Sequence, residues 1–304
     1  MRDGWTVQDI PDLSRTVAIV TGASGGIGSV IARELARKAA SVVLACRSVD
    51  RGQATVDSIR AEIPDARVEV VPLDLARLTS VRQFARAFRS RHDCLHLLIN
   101  NAGVLLVPHG TTEDGFERHF GVNHLGHFAL TGLLFDRLLT SGMSRVVTVS
   151  SRGHVFGRID CEALTDDGAG DYSPARAYAR SKLANLLFTY ELQRRLRTAS
   201  VIAVAAHPGG AATDLGRRMS DRRLYRAIRP VLEWLSQSAA EAALPILRAA
   251  TDPGVVGGEF YGPSGRFGMR GRPVKTESSR RSHDEETARR LWQLSEDLTG
   301  TRFL

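Results

Sequence analysis

Short β-branched runs alternate with longer amphipathic segments along most of the chain, and no other feature constrains the fold as tightly. Two parallel strands joined through a helix need a right-handed crossover, so repeated units of this kind build a parallel sheet with helices on both faces. Strands are predicted at 16–22, 41–47, 67–75, 94–103, 145–151, 200–209 and 258–262. Helices are predicted at 26–40, 50–63, 79–90, 113–139, 174–197 and 233–250, with Pro245 expected to kink or break the last. A final helix from Asp284 would bury Leu291, Leu294 and Leu298. No linker, low-complexity segment or repeat interrupts the pattern. The expectation is a single-domain, doubly wound α/β fold of about seven strands over 1–304, with a core at 15–262 and an extension at 263–304.

Composition limits what such a fold would do. The chain is 43% apolar with a formal charge of +8, and no 18-residue apolar run offers a spanning helix. The start, MRDGWTVQDIPDLSR, lacks the apolar segment of a secretory signal. Cys46, Cys94 and Cys161 are scattered, without metal spacing or a disulfide framework, and the expected location is cytoplasmic. The positive charge is spread, densest at 216–230, and no nucleic-acid-binding motif accompanies it, so no nucleic-acid partner is expected. His119, His124 and His127 crowd one helix, but no carboxylate or cysteine joins them in a recognised spacing, and no metal is expected. His154 and His207 follow strands; each either lines a pocket or is structural.

Two local patterns carry chemistry. The first is TGASGGIG, residues 21–28, between the first strand and first helix. Glycines there allow a tight turn and close backbone approach, and the helix N-terminus behind them favours a pyrophosphate. The second is YARSK, residues 178–182. Tyr178 and Lys182 are four apart and share a helical face, and a nearby ammonium would draw the phenol's pKa down towards working pH. Alone, Tyr178 reads better as half-buried packing.

These patterns stand in order with NNAG (100–103), GVNHLGHF (121–128), VSS (149–151) and HPGGAATDL (207–215). Together they resemble the short-chain dehydrogenase/reductase family over roughly residues 15–262, with a Rossmann fold. The long spacing from Ser151 to Tyr178 is similar to the branch of retinol dehydrogenases and protochlorophyllide reductases. The resemblance implies a nicotinamide cofactor and four catalytic residues. Tyr178 would be the general acid in carbonyl reduction and the base in alcohol oxidation. Lys182 would lower the Tyr178 pKa and hold the nicotinamide ribose. Ser151, rather than Ser150, would polarise the carbonyl, and Asn123 would steady a water that relays protons through Lys182. Taken singly, Ser151 reads as a strand-end cap and Asn123 as a helix-satisfying amide.

The same resemblance places the cofactor along Gly22, Ser24, Gly26, Ile27 and Gly28. Asp74 and Leu75 would meet the adenine, Asn101, Ala102 and Gly103 its ribose, and Tyr178, Lys182, Pro208 and Gly209 the nicotinamide end. An acid ending the second strand would mark NAD. Here that strand ends LACRS, with no acid before Asp50; Arg47 stands where a 2′-phosphate would arrive, and Ser48 adds a hydrogen bond. The expected cofactor is therefore NADP(H). The partner would be a small, lipophilic carbonyl or alcohol. The loop at 151–174 would wall the substrate site. Residues 216–235 would be its lid, either solvated or grazing a membrane surface. Reduction of a carbon–carbon double bond and a cofactor-binding sensor without turnover are the alternatives. The protein would be a monomer, or an oligomer paired through 113–139 and 174–197.

Overall fold

The computed structural model describes residues 4–162, 164, 172–196, 200–210 and 237–304. Its elements begin with β1 (Val17–Thr21), α1 (Gly26–Arg37), β2 (Ser41–Cys46), α2 (Val49–Glu62), β3 (Val68–Pro72), α3 (Leu78–Arg89) and β4 (Leu97–Asn100). There follow α4 (Arg118–Phe120), α5 (Gly126–Leu133), α6 (Phe135–Leu139), β5 (Ser144–Val149), α7 (Pro174–Arg195) and β6 (Val201–Ala206). The described chain closes with α8 (Ala239–Thr251), β7 (Phe260–Pro263), β8 (Pro273–Lys275) and α9 (Glu285–Thr299).

The strands form one sheet in the order β3-β2-β1-β4-β5-β6-β7-β8. Every pair is parallel except β7 with β8. Strand order reverses between β1 and β4, which opens a crevice at their carboxyl ends. The alternation along β1 builds both layers. Ala18 and Val20 join Ile31 and Leu35 of α1 and Ile246 and Leu247 of α8. Ile19 joins Phe84 and Phe88 of α3 and Phe128 of α5 on the other face.

Three expectations need correction. The sheet has an eighth strand, β8, whose three residues are too short for a period-2 pattern to show. Pro245 sits inside an unbroken α8, where it is buried with Ile246 and Leu247; that packing outweighs the missing amide bond. The helix expected over 113–139 starts at Arg118 and changes pitch. Residues Gly121–Leu125 form one π turn, closed by the Gly126 amide on the Gly121 carbonyl. At Gly126, just past this turn, a Cβ would come within 2.7 Å of the Leu75 carbonyl, so the helix runs hard against the segment after β3.

Beyond β7 the chain returns over the body. In α9, Leu291 is buried with Leu183 and Leu187 of α7, while Leu294 and Leu298 pack partly buried beside them. Trp292 stacks on Phe188, with 5.9 Å between ring centroids, and meets Phe128 edge-on at 5.1 Å. Among the described residues, no helix is long and apolar enough to cross a membrane.

Candidate active site

The glycine-rich turn leaves β1 at the crevice. Gly22 has φ +70°, and a side chain there would press on Ala102 at 3.0 Å. At Gly28 a Cβ would lie 2.5 Å from the Gly22 carbonyl and 2.8 Å from Asn101 Nδ2. The turn and the segment after β4 therefore close on each other only because these side chains are missing. Gly26 faces open space, Ser24 and Ile27 are half-buried, and Ile27 packs against the core.

Thr21 locks this arrangement, a role not evident from its place at the head of the motif. Its Oγ1 accepts the Asn101 and Ala102 amides, both at 2.9 Å, and Asn101 Nδ2 donates to the Thr21 carbonyl at 2.8 Å. With both lone pairs used, its proton faces His127 Nε2 at 2.9 Å, with the Ile99 carbonyl farther off at 3.3 Å. His127 Nδ1 donates to the Asn123 carbonyl at 3.0 Å. Burial pushes His127 down to about 4, so the ring stays neutral and holds both bonds.

Asn123 lies in the π turn with its amide engaged by protein. Nδ2 donates to the Val104 carbonyl at 3.0 Å and to Ser181 Oγ at 2.9 Å, while Oδ1 accepts the Val104 amide at 2.7 Å. Ser181 Oγ donates in turn to the Tyr178 carbonyl at 2.8 Å. Asn123 thus ties the 104 loop to the first turns of α7.

Ser151, Tyr178 and Lys182 meet at the carboxyl end of β5. Ser151 caps the 3-10 helix Arg152–Phe156, its Oγ accepting the Gly153 amide at 3.1 Å. Tyr178 is half-buried on α7. Lys182 is buried, with Nζ 5.8 Å from the Tyr178 ring centre and donating to the Val149 carbonyl at 3.0 Å. Ser150 turns away and donates to the Lys182 carbonyl at 2.8 Å. The electrostatics differ from the expectation that Lys182 lowers the Tyr178 pKa. Burial raises the phenol, and its hydrogen bond with Ser151 opposes that only in part. Burial also pushes Lys182 down to about 8. Burial thus works against charge on both side chains. Gly103 stands open beside them: a Cβ there would lie 3.0 Å from Asn123 Oδ1 and 3.5 Å from Lys182 Nζ.

At the other end of the crevice, Arg47 is exposed and Ser48 caps α2, accepting the Arg51 amide at 3.4 Å. That bond leaves the Ser48 hydroxyl proton free to donate. A cleft between α1 and α2 is lined by Ser24, Ser29, Arg33, Arg51, Thr55 and Ser58. Arg33 is already paired with Glu34 and Glu62. Arg51 has no carboxylate partner among the described residues and lies 3.6 Å from where a Gly25 Cβ would be. Sequence reading missed Arg51; its place four residues after Arg47, on the first turn of α2, was the available signal. Arg51 in the cleft, Arg47 before α2 and the N-terminus of α2 give this end of the crevice a positive character. Asp74 uses Oδ1 to close its own turn on the Ala76 amide at 3.0 Å, and the Leu75 side chain is buried in the core.

The proline-glycine turn is held from both sides. Gly209 has φ +72°, Gly210 donates to the Met269 carbonyl at 2.8 Å, and Gln237 Nε2 donates to the Pro208 carbonyl at 2.5 Å. His207 is buried, accepts the Gly209 amide at 3.2 Å, and is pushed down to about 3 by burial. His154 is buried, with both ring nitrogens engaged by backbone groups. His119 and His124 turn to other partners: His119 Nδ1 to Glu117 at 3.0 Å, and His124 Nε2 to Ser295 at 2.9 Å. Residues 211–236, with the basic stretch at 216–230, lie outside the described residues, as do 163 and 165–171 of the expected substrate wall.

A family profile described as short chain dehydrogenase matches residues 16–163. Retinol dehydrogenase 12 of Mus musculus is 41% identical over 288 residues, spanning 94% of this chain and 87% of the relative. Polyprenol dehydrogenase of Mus musculus is 46% identical over 298 residues, spanning 96% and 86%. The crystal structure of an uncharacterised protein from Mycobacterium paratuberculosis superposes with a TM-score of 0.81 at 44% identity, spanning 99% of both chains.

Proposed function

The chain belongs to the short-chain dehydrogenase family, in its retinol dehydrogenase-like branch, and is an oxidoreductase of the carbonyl/alcohol kind. From that premise we propose that it uses NADP(H) to interconvert a carbonyl and an alcohol on a lipophilic substrate, with Tyr178 as general acid–base. The observation that carries this reading is the meeting of Ser151, Tyr178 and Lys182 beside the open Gly103.

The chain's residues suit a dinucleotide laid across the crevice. Gly22 and Gly28 would admit the pyrophosphate, and Gly103 the nicotinamide ribose next to Lys182. Arg47, Arg51 and the Ser48 hydroxyl would hold a 2′-phosphate. When bound, the nicotinamide supplies or accepts the hydride. During reduction, Ser151 and Tyr178 would both donate hydrogen bonds to the substrate oxygen, where negative charge develops. Tyr178 would then give up its proton to form the hydroxyl. The raised phenol pKa keeps that proton in place until it is needed, and the Lys182 ammonium would stabilise the phenolate left behind. Oxidation runs the same steps in reverse.

A lipophilic substrate is supported by two points. The wall after NNAG reads VLLV at 104–107. The relatives above are named for retinol and polyprenol, both long apolar alcohols. Residues 216–235 complete the proposal as the substrate lid.

The test is a pair of fluorescence titrations followed by an absorbance screen at 340 nm against long-chain aldehydes and ketones. NADPH should bind at least about tenfold tighter than NADH, since each charge-assisted bond to the extra phosphate contributes about 1.5–3 kcal/mol. Equal affinities, or turnover with NADH alone, would overturn the cofactor assignment.

A further inference from the structure

His154 is fully buried three residues after Ser151, and both ring nitrogens are committed to backbone. Nδ1 meets the Ser151 carbonyl at 2.6 Å. Nε2 meets the Ser279 amide at 3.1 Å, 125 residues further along the chain. A carbonyl can only accept and an amide can only donate. The ring is therefore neutral with its proton on Nδ1, the form that is the minor one for free imidazole. Burial and the charge of Arg152 both disfavour a second proton, which would face the Ser279 N–H.

The far end of this bridge is itself fastened. Ser278 Oγ bonds Tyr190 on α7 at 2.8 Å and His283 at 3.0 Å. Arg281 reaches the carbonyls of Val155 and Gly157, both at 3.4 Å. Ser282 is fully buried, and its hydroxyl closes on the Ser279 carbonyl at 2.6 Å. One segment of the C-terminal extension thus grips α7 and the 3-10 helix that Ser151 caps.

We propose that His154 is a positioning residue for Ser151, and that through it residues 278–283 of the C-terminal extension are a working part of the active site. Held at its carbonyl by His154 and at its Oγ by the Gly153 amide, Ser151 keeps its hydroxyl proton on the Tyr178 side, where it can turn from the phenol to a substrate oxygen. This inference rests on the role given to Ser151 above.

Ser279 has φ −65°, the angle proline adopts, so Ser279→Pro removes the donated N–H at little backbone cost. His154→Gln keeps an acceptor for Ser279 and loses the donor to Ser151. Both variants are compared with wild type and Ser151→Ala for kcat, KM, NADPH affinity and melting temperature. The wild-type imidazole is read by 15N NMR. The expected results are an Nδ1–H tautomer at neutral pH and unchanged NADPH affinity in both variants. Ser279→Pro should lose roughly tenfold in kcat, and His154→Gln should lose more, towards the roughly hundredfold that an ångström of misplacement costs. An Nε2–H tautomer, or a lowered melting temperature with kcat unchanged in both variants, would reduce His154 to a structural staple and overturn the proposal. Wild-type turnover by Ser151→Ala would instead remove the premise, and the inference would fall with it.

Discussion

Tyr178 and Lys182 are four residues apart on one face of α7, and burial opposes the charged form of each. Burial raises the phenol and brings the amine down to about 8. Ribose hydroxyls arriving at Lys182 would favour its charged form and raise that pKa. The sign follows from linkage. Below about pH 8 the amine is protonated both free and bound, and affinity is at its plateau. As pH rises through that value, binding has to take up a proton, so NADPH affinity falls by up to about tenfold per pH unit. Titrations between pH 7 and 9.5 check this, and Lys182→Met should flatten the profile. At the other end of the crevice, Arg51→Ala should weaken NADPH by roughly tenfold or more while leaving NADH unchanged, as measured by the same titration. Gly28→Ala should abolish binding of either nucleotide, because its Cβ would press on the Gly22 carbonyl. The order of the motifs was legible because residue type and spacing are themselves the signal, and the structure brings Ser151, Tyr178 and Lys182 together. Arg51, Thr21 and His127 were not, because each acts through a neighbour that only the folded crevice brings near.

At the scale of elements, the strand-helix rhythm carried most of the fold, since buried parallel strands and amphipathic helices have distinct periods. What it concealed were local departures from period. The π turn at Gly121–Leu125 adjoins the close approach of Gly126 to Leu75, a contact across some fifty residues of chain that no local pattern marks. β8 is too short to have a period, and the burial that keeps α8 whole around Pro245 is tertiary. Of the expected α9 stripe, Leu291 is buried while Leu294 and Leu298 are only partly covered, and the large buried side chain of the helix is Trp292. Its ring packs against Phe128, Phe188 and Phe303, with the Arg195 guanidinium 4.4 Å from its centre. Trp292→Ala should cost about 3–5 kcal/mol of stability, read as a shift in the urea midpoint.

Over the whole molecule, the C-terminal extension changes what the exterior offers. The helix α9 lies on α7 and touches α5, and these are the helices through which the resemblance would pair two subunits. With that face covered, the protein should run as a monomer of 33.2 kDa in light scattering after size exclusion; a dimer would show that pairing uses another face. The extension also reaches Ser151 through His154, so the same forty-odd residues that close off the exterior support the chemistry inside. The most direct test of the central claim is single-turnover oxidation of NADPH by a long-chain aldehyde, followed at 340 nm in wild type and Tyr178→Phe. The account predicts a rate loss of roughly a hundredfold or more with NADPH affinity retained. Equal rates in the two proteins would contradict it, because the proton would then come from somewhere other than Tyr178.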